Sequence, residues 1–124
     1  MTLDDARITS FVGVSDLDAA ERFYGGVLGL TLADQRPFAL VADAGPTQLR
    51  ITLVGEVRAA PYTVLGWQVA ELEGEIDRLV EAGVTFNRYD GMEQDGRGIW
   101  AAPGGARIAW FLDPDGNNLS LQSF

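Results

Sequence analysis

The sequence predicts an α+β protein, a single domain over residues 1–124 that contains two copies of one strand–helix–strands module. The first observation is an internal repeat, because Val14–Asp18 (VSDLD) is echoed by Val69–Glu73 (VAELE). The second is that each copy ends an apolar stretch and opens a helical pattern. The third is that short strand patterns follow each helix. The order is therefore βαβββ, linker, βαβββ, with module one at about residues 6–54, a linker at 55–61 and module two at about 62–124.

In module one the apolar residues of the helix recur at helical spacing: Ala20, Phe23, Tyr24, Val27 and Leu28. Ser15 or Asp16 can cap this helix at its start, and Gly29 stops it. Strands are predicted at Ala6–Val14, Leu30–Gln35, Phe38–Asp43 and Gln48–Val54.

In module two the helical positions are Leu72, Ile76, Leu79 and Val80, and Gly83 stops the helix. Strands are predicted at Tyr62–Val69, Thr85–Tyr89, Arg107–Leu112 and Leu119–Phe124, with a short extra strand possible at Ile99–Ala102. Asp113–Asn117 (DPDGN) is a strong turn signal, so the last two strands should form a hairpin. We expect a second hairpin turn at Gly104-Gly105, which lacks the Lys and the helix of a phosphate loop.

Composition excludes several classes of function. The formal charge is −9, from 9 basic and 18 acidic residues, and it disfavours nucleic acid and anionic membranes as partners. The absence of Cys excludes thiolate sites and disulfides, and the absence of His removes the usual base and the commonest metal ligand. No apolar stretch approaches the roughly 20 residues that span a bilayer. We therefore expect a soluble, cytoplasmic protein.

The repeat is joined by two motifs, Val14-Ser15-Asp16-Leu17 with Phe23-Tyr24 and Leu28-Gly29-Leu30, and the closing Phe111-Leu112-Asp113-Pro114-Asp115-Gly116-Asn117-Asn118-Leu119-Ser120-Leu121. Together they resemble the vicinal oxygen chelate superfamily, which comprises glyoxalases, bleomycin-resistance proteins and extradiol dioxygenases. The likeness covers nearly the whole chain. It implies that the two modules form paired half-barrels, in which metal-dependent members hold one divalent metal with four inward-facing residues.

The resemblance places those four positions at Thr9, Arg50, Val64 and Ser120. Zn, Fe and Ni prefer imidazole, thiolate or carboxylate donors, and none of these four side chains provides one. A shift of one residue in the register offers no better set. We therefore expect neither a metal nor a cofactor.

Alternation along strands, in the register of the resemblance, predicts the residues that line the concave faces. The predicted ligand-binding set is Thr9, Phe11, Arg50, Tyr62, Val64, Gln68, Trp100, Ser120 and Gln122. Phe11, Tyr62 and Trp100 are the expected stacking surfaces, whereas Trp67, facing a helix, and Trp110 are expected to fill the core. Arg50 could bind a ligand carboxylate or form a salt bridge within the protein, and the sequence leaves both open.

Residues 90–98 show no apolar period and are predicted to form a mobile loop over the mouth of the second half-barrel. In that loop Asp90, Glu93 and Asp95 could meet a cation or could simply be solvated. Exposed sheet faces and edges predict a homodimer, and the resemblance implies the same because members of the family commonly cover them with a second subunit.

Three functions are compatible with these residues. The favoured interpretation is a metal-free protein that binds or sequesters a small aromatic or cationic organic compound, such as an antibiotic, in pockets shared by two subunits. The alternative is a metal-independent isomerase or lyase, with Glu93 or Asp90 as the base and Arg50 or Tyr62 stabilising an oxyanion. A structural or regulatory subunit without a ligand is the third.

Overall fold

The computed structural model describes residues 2–124, apart from the side chain of Ala44. The chain divides into two compact units, one ending at Arg58 and the other running from Ala59 to Phe124. Each unit contains one four-stranded sheet. Within the described residues, no helix combines the length and the apolar character needed to cross a membrane.

The first unit begins with a short 3-10 helix at Leu3–Asp5. The other elements, in chain order, are β1 (Ile8–Val14), α1 (Leu17–Ala20) continued by a π-helical segment (Glu21–Val27), β2 (Leu32–Gln35), β3 (Ala39–Ala44) and β4 (Thr47–Leu53). The strand order is β1-β4-β3-β2, in which β1 and β4 are parallel and the other neighbours antiparallel.

Asp16 caps α1, and it is one of the two residues that were predicted as its N-terminal cap. Its Oδ1 accepts hydrogen bonds from the backbone N–H groups of Asp18 at 2.9 Å and Ala19 at 3.1 Å. The π-helical continuation was not predicted; there the N–H of Leu28 donates to the carbonyl of Phe23, five residues earlier. Gly29 follows with a φ of 82°, which confirms it as the stop signal.

One face of the first sheet packs on the helical segment. Its buried residues alternate along the strands, and they are Val12, Val14, Leu40, Ala42, Leu49 and Ile51. Leu17, Ala20 and Tyr24 are buried on the helical side. Residues on the opposite face, here called the far face, include Thr9, Phe11 and Arg50.

The second unit repeats this arrangement with β5 (Leu65–Gln68), α2 (Leu72–Glu81), β6 (Trp100–Ala101), β7 (Arg107–Leu112) and β8 (Asn118–Ser123). Its strand order, β5-β8-β7-β6, matches the first sheet position by position. The register matches too, because Phe11 lies opposite Arg50 in β1/β4 and Gly66 lies opposite Ser120 in β5/β8. Leu119 and Leu121 face α2, so Ser120 and Gln122 occupy the far face of this sheet.

The predicted strand Thr85–Tyr89 is wrong. Only Phe86 forms a bridge, to Phe111, and the fourth strand of the sheet is Trp100–Ala101, within the predicted short extra strand. The reason is the side chain of Gln94: its Oε1 accepts from Tyr89 N at 2.8 Å and its Nε2 donates to Asn87 O at 3.0 Å. An amide side chain thus takes the hydrogen bonds that a neighbouring strand would have taken.

Both predicted hairpin turns are confirmed. At the β7–β8 turn Asp113 Oδ1 accepts from the N–H groups of Asp115 and Asn117, and Gly116 adopts a φ of 85°. Gly104 and Gly105 form the β6–β7 turn, both with positive φ.

Candidate functional site

A groove of about 430 Å³ runs over the far face of the second sheet. Strands β5, β7 and β8 and the segment before β5 supply its walls. The lining residues are Thr63, Val64, Leu65, Gly66, Ile108, Trp110, Ser120, Gln122 and Phe124. None of these nine side chains is charged, so the groove is an apolar slot with a short polar strip.

The polar strip depends on Gly66. A Cβ atom built at this residue would lie 2.5 Å from Ser120 Oγ and 3.0 Å from Gln122 Oε1, so only glycine leaves the two side chains undisturbed. Ser120 Oγ donates to Gln122 Oε1 at 2.9 Å. The groove floor is therefore a hydroxyl and an amide held together beneath apolar walls.

Trp110 forms one wall of the groove, and the expectation that it fills the core is wrong. It lies opposite Ser120 in β7/β8 and is half-buried, with its Nε1–H donating to Thr63 Oγ1 at 2.9 Å. Its ring neighbours are Tyr89 at 5.6 Å and Trp100 at 6.1 Å between centroids. The signal was present in the sequence, because the turn after β7 fixes which β7 residues share a face with Ser120.

Trp67 lies on the other face of the sheet. It is paired with Leu121, which is buried, and it faces the α2 side as alternation predicted. Its own side chain is half-buried. The two tryptophans are therefore both half-buried but lie on opposite faces of the sheet.

The predicted ligand-binding residues of the second unit are only partly gathered. Val64, Ser120 and Gln122 line the groove. Trp100 is not a lining residue, but its ring contacts the ring of Trp110, which is one. Gln68 pairs with Gln122 in β5/β8 but does not line the groove. Tyr62 precedes β5 and is 68% exposed, away from the lining.

The predicted residues of the first unit share the far face of its sheet. Thr9 lies opposite Gln48, and Phe11, 65% exposed, lies opposite Arg50. The guanidinium of Arg50 donates to Gln35 Oε1 at 3.2 Å. This face thus carries charged side chains and an exposed aromatic ring, whereas no side chain that lines the groove of the second unit is charged.

The four family metal positions do not provide a metal site. Thr9 and Arg50 lie in the first sheet, and Val64 and Ser120 line the groove of the second. Arg and Val offer no donor, and the hydroxyls are poor ligands for transition metals. In the part of the chain that the structure describes, no cluster of three or more Cys, His, Asp and Glu side chains could hold an ion. The donor set therefore does not fit the family's metal.

The segment 90–98 is held by its own hydrogen bonds. Asp95 Oδ1 accepts from the N–H groups of Arg97 and Ile99, each at 2.9 Å, so this carboxylate has a structural partner set. Asp90 and Glu93 are exposed. Arg88 adds a bond to Gly96 O at 2.8 Å.

Two ion pairs tie α2 to neighbouring segments. Arg97 donates to both oxygens of Asp77 at 2.9 Å, and this hydrogen bonding lowers the pKa of Asp77. Arg107 binds Glu73 in the same way and lowers its pKa. These carboxylates are engaged with arginines outside the groove, so they do not supply it with a base.

Comparison with known proteins supports the fold and the repeat. A glyoxalase family protein from Bacillus anthracis superimposes with a TM-score of 0.76 at 13% identity, over 96% of this chain and 94% of that chain. A lactoylglutathione lyase from Agrobacterium tumefaciens gives 0.74 at 20% identity, over 96% and 93%. A superfamily member from Sphaerobacter thermophilus gives 0.71 at 23% identity, over 94% and 95%. No curated protein matches the sequence.

These structures confirm the predicted fold class of two βαβββ modules. The model of the Glyoxalase/Bleomycin resistance protein/Dioxygenase superfamily matches residues 6–121. The predicted resemblance is confirmed by that match, and the chain belongs to the glyoxalase/bleomycin resistance protein/dioxygenase superfamily.

Proposed function

We propose that this protein is a metal-free binding protein that holds a small aromatic organic compound, neutral or cationic, in the groove of its second unit. An antibiotic is one compound of this kind. The observation that carries the proposal is the uncharged groove walled by Trp110, with Ser120 and Gln122 at its floor.

The chemistry of the lining supports a flat ligand. The ring of Trp110 supplies a stacking surface, while Val64, Ile108 and Phe124 supply apolar contact. A cation over the tryptophan face would gain a further attraction, which the net charge of −9 reinforces only at low ionic strength. The amide of Gln122 can fix the orientation of a polar substituent.

The isomerase or lyase alternative has less support. General acid–base catalysis needs a titrating group within reach of the substrate, and none of the described lining residues titrates near neutral pH. Asp90 and Glu93, the predicted bases, are exposed on the 90–98 segment and absent from the lining. Binding without chemistry therefore accounts for the groove with fewer assumptions.

Metal independence is part of the proposal, and it rests on the residues at the four family positions. Purified protein should carry no stoichiometric Zn, Ni or Fe, and EDTA should leave its melting temperature unchanged. About one such ion per chain, lost on changing Ser120 or Thr9, would contradict it.

The proposal also includes a homodimer. Phe38 and Tyr62 are exposed by 73% and 68%, and burying such apolar surface between two copies would be favourable. Light scattering should give about twice the 13.4 kDa chain mass. A monomer at micromolar concentration would rule out the dimer.

The binding proposal is tested by a thermal-shift screen against antibiotics and aromatic metabolites. A ligand at 100 times its dissociation constant should stabilise the fold by about 2.7 kcal/mol. Trp110→Ala should abolish the shift, whereas Trp110→Phe should keep part of it because a ring remains. Trp67→Phe, on the opposite face, is the matched control and should bind normally. Equal binding by wild type and Trp110→Ala would exclude the groove.

A further inference from the structure

Arg50 is a half-buried residue whose guanidinium has no acidic partner among the described residues. Its only hydrogen bond of those the structure describes goes to the neutral amide of Gln35, at 3.2 Å. No described carboxylate lies within 4 Å of it, although the chain contains 18 acidic residues. Of the two options that the sequence left open for Arg50, the salt bridge within the protein is therefore not formed among the described residues.

This situation is unusual within the chain. Six other arginines each lie within 4 Å of a carboxylate: Arg7, Arg36, Arg58, Arg78, Arg97 and Arg107. Arg88 is exposed and bonds to backbone carbonyls, and Arg22 is an exposed helical residue. A partly buried charge is stabilised when an opposite charge lies beside it, so an anion bound next to Arg50 would be favourable.

Among the described strand residues of the first unit, the far face around Arg50 carries one acidic side chain, and an arginine pairs with it. Asp43 is the acidic residue of β3 on this face, and Arg7 pairs with it. Asp34 in β2 points to the other face, where Arg36 holds it at 2.7 Å. The remaining acidic surface acts only weakly here, because salt screens charges beyond about 8 Å at physiological ionic strength.

An exposed aromatic ring, that of Phe11, lies on the same face as this charge. The Arg50 side chain extends from β4 over β3 to reach Gln35 on β2, whereas Phe11 is on β1, on the other side of β4. Neighbouring strands are about 4.8 Å apart, so the guanidinium and the Phe11 ring are separated by about two strand spacings. A ligand that reached both would carry its anionic group and its ring a few bonds apart.

We propose that the far face of the first unit binds an aromatic carboxylate, whose carboxylate pairs with Arg50 and whose ring packs on Phe11. The carboxylate accepts two parallel hydrogen bonds from the guanidinium. The guanidinium has further N–H donors besides the one that bonds to Gln35. This site differs from the groove of the proposed function in both charge and residues.

The experiment uses the full chain and three probes: phenylpropionate, phenylbutyrate and the neutral amide of phenylbutyrate. Calorimetry should show saturable binding of at least one acid. The amide should bind at least about tenfold more weakly, because it lacks the charge. Raising the salt concentration should weaken binding of the acid and leave the amide unaffected.

Variants locate the site. Arg50→Gln should weaken binding of the acid about tenfold or more, Arg50→Lys should retain part of it, and Phe11→Ala should weaken acid and amide alike. Arg22→Gln removes the same charge from an exposed helix position and should bind normally. Trp110→Ala should also bind normally, which separates this site from the groove. Circular dichroism shows whether each variant is folded. If Arg50→Gln does not fold, the weaker binding expected of Arg50→Lys tests the role of this residue.

Three results would overturn the proposal. The first is equal affinity for acid and amide, and the second is unchanged affinity in both Arg50 variants. The third is no saturable binding of either acid up to its solubility limit.

Discussion

Gly66 lies directly opposite Ser120, and a Cβ atom at Gly66 would fall 2.5 Å from Ser120 Oγ. Gly66→Ala should therefore destabilise the fold, by about 1 to 3 kcal/mol, because a buried side chain must shift to admit the methyl group. It should also displace the Ser120–Gln122 hydrogen bond and weaken ligand binding in the groove. Urea unfolding and the thermal-shift screen measure the two effects.

A control variant and a double variant that should recover stability provide further tests of this prediction. In α2, a Cβ at Gly74 would meet nothing closer than 4.0 Å, so Gly74→Ala should stabilise the protein by about 0.5 to 1 kcal/mol. Removing the hydroxyl in Gly66→Ala/Ser120→Ala should recover part of the lost stability. Stability of Gly66→Ala equal to wild type would show that the second sheet has more room than its register indicates.

Thr52 carries a buried hydroxyl oxygen with no hydrogen-bond partner among the described residues. Thr52→Val keeps the shape and removes the unpaired polar atom, so the free energy of unfolding should rise by about 1 kcal/mol. Thr9→Val, at an exposed position of β1 on the same face, should change it by less than about 0.5 kcal/mol. A loss of stability in Thr52→Val, measured by urea titration, would mean that the hydroxyl is bonded in solution.

Much of this architecture could be predicted because its determinants are local or periodic. The VSDLD repeat located both helices, Asp16 and Gly29 marked the ends of the first, and alternation placed Phe11 and Arg50 on one face of a strand. The DPDGN turn fixed the β7–β8 hairpin. Each of these signals lies within a few residues of the structure that it specifies.

Two features were not predicted because each depends on a contact outside the residue's own strand. The Thr85–Tyr89 pattern is that of a strand, but the amide of Gln94, several residues later, takes the hydrogen bonds at Asn87 and Tyr89. Trp110 looks like a core aromatic until its register against Ser120 is known. The missing partner of Arg50 likewise depended on where every carboxylate of the chain lies, which no local pattern reveals.

Asp113 organises the β7–β8 turn as a buried acceptor. Its side chain accepts from the N–H groups of Asp115 and Asn117 at 2.9 and 2.8 Å, and from Asn117 Nδ2 at 2.8 Å. Asp113→Ala should lower the free energy of unfolding by about 2 to 4 kcal/mol, because it leaves buried donors unpaired. Asp113→Asn, which keeps one acceptor oxygen, should lose less. Asp90→Ala, at an exposed position, is the control, and an equal effect of the two alanine variants would contradict the role of the turn.

The Asp77–Arg97 pair should make stability depend on pH in the acid range. The hydrogen bonds from Arg97 hold the pKa of Asp77 below its usual value of about 3.9, so the unfolded chain binds the proton more readily than the folded one. The contribution is complete above that value and is lost as the pH falls through the lower, folded-state pKa. The stability difference between wild type and Asp77→Asn should therefore be present at about pH 7 and shrink towards about pH 3.

Both side chains are about half exposed, so the difference should be small and should fall in high salt. Urea titrations across this range provide the measurement, and Arg97→Gln should remove the pH dependence of the difference. A difference that stayed constant from neutral to acid pH would show that the pair does not form in solution.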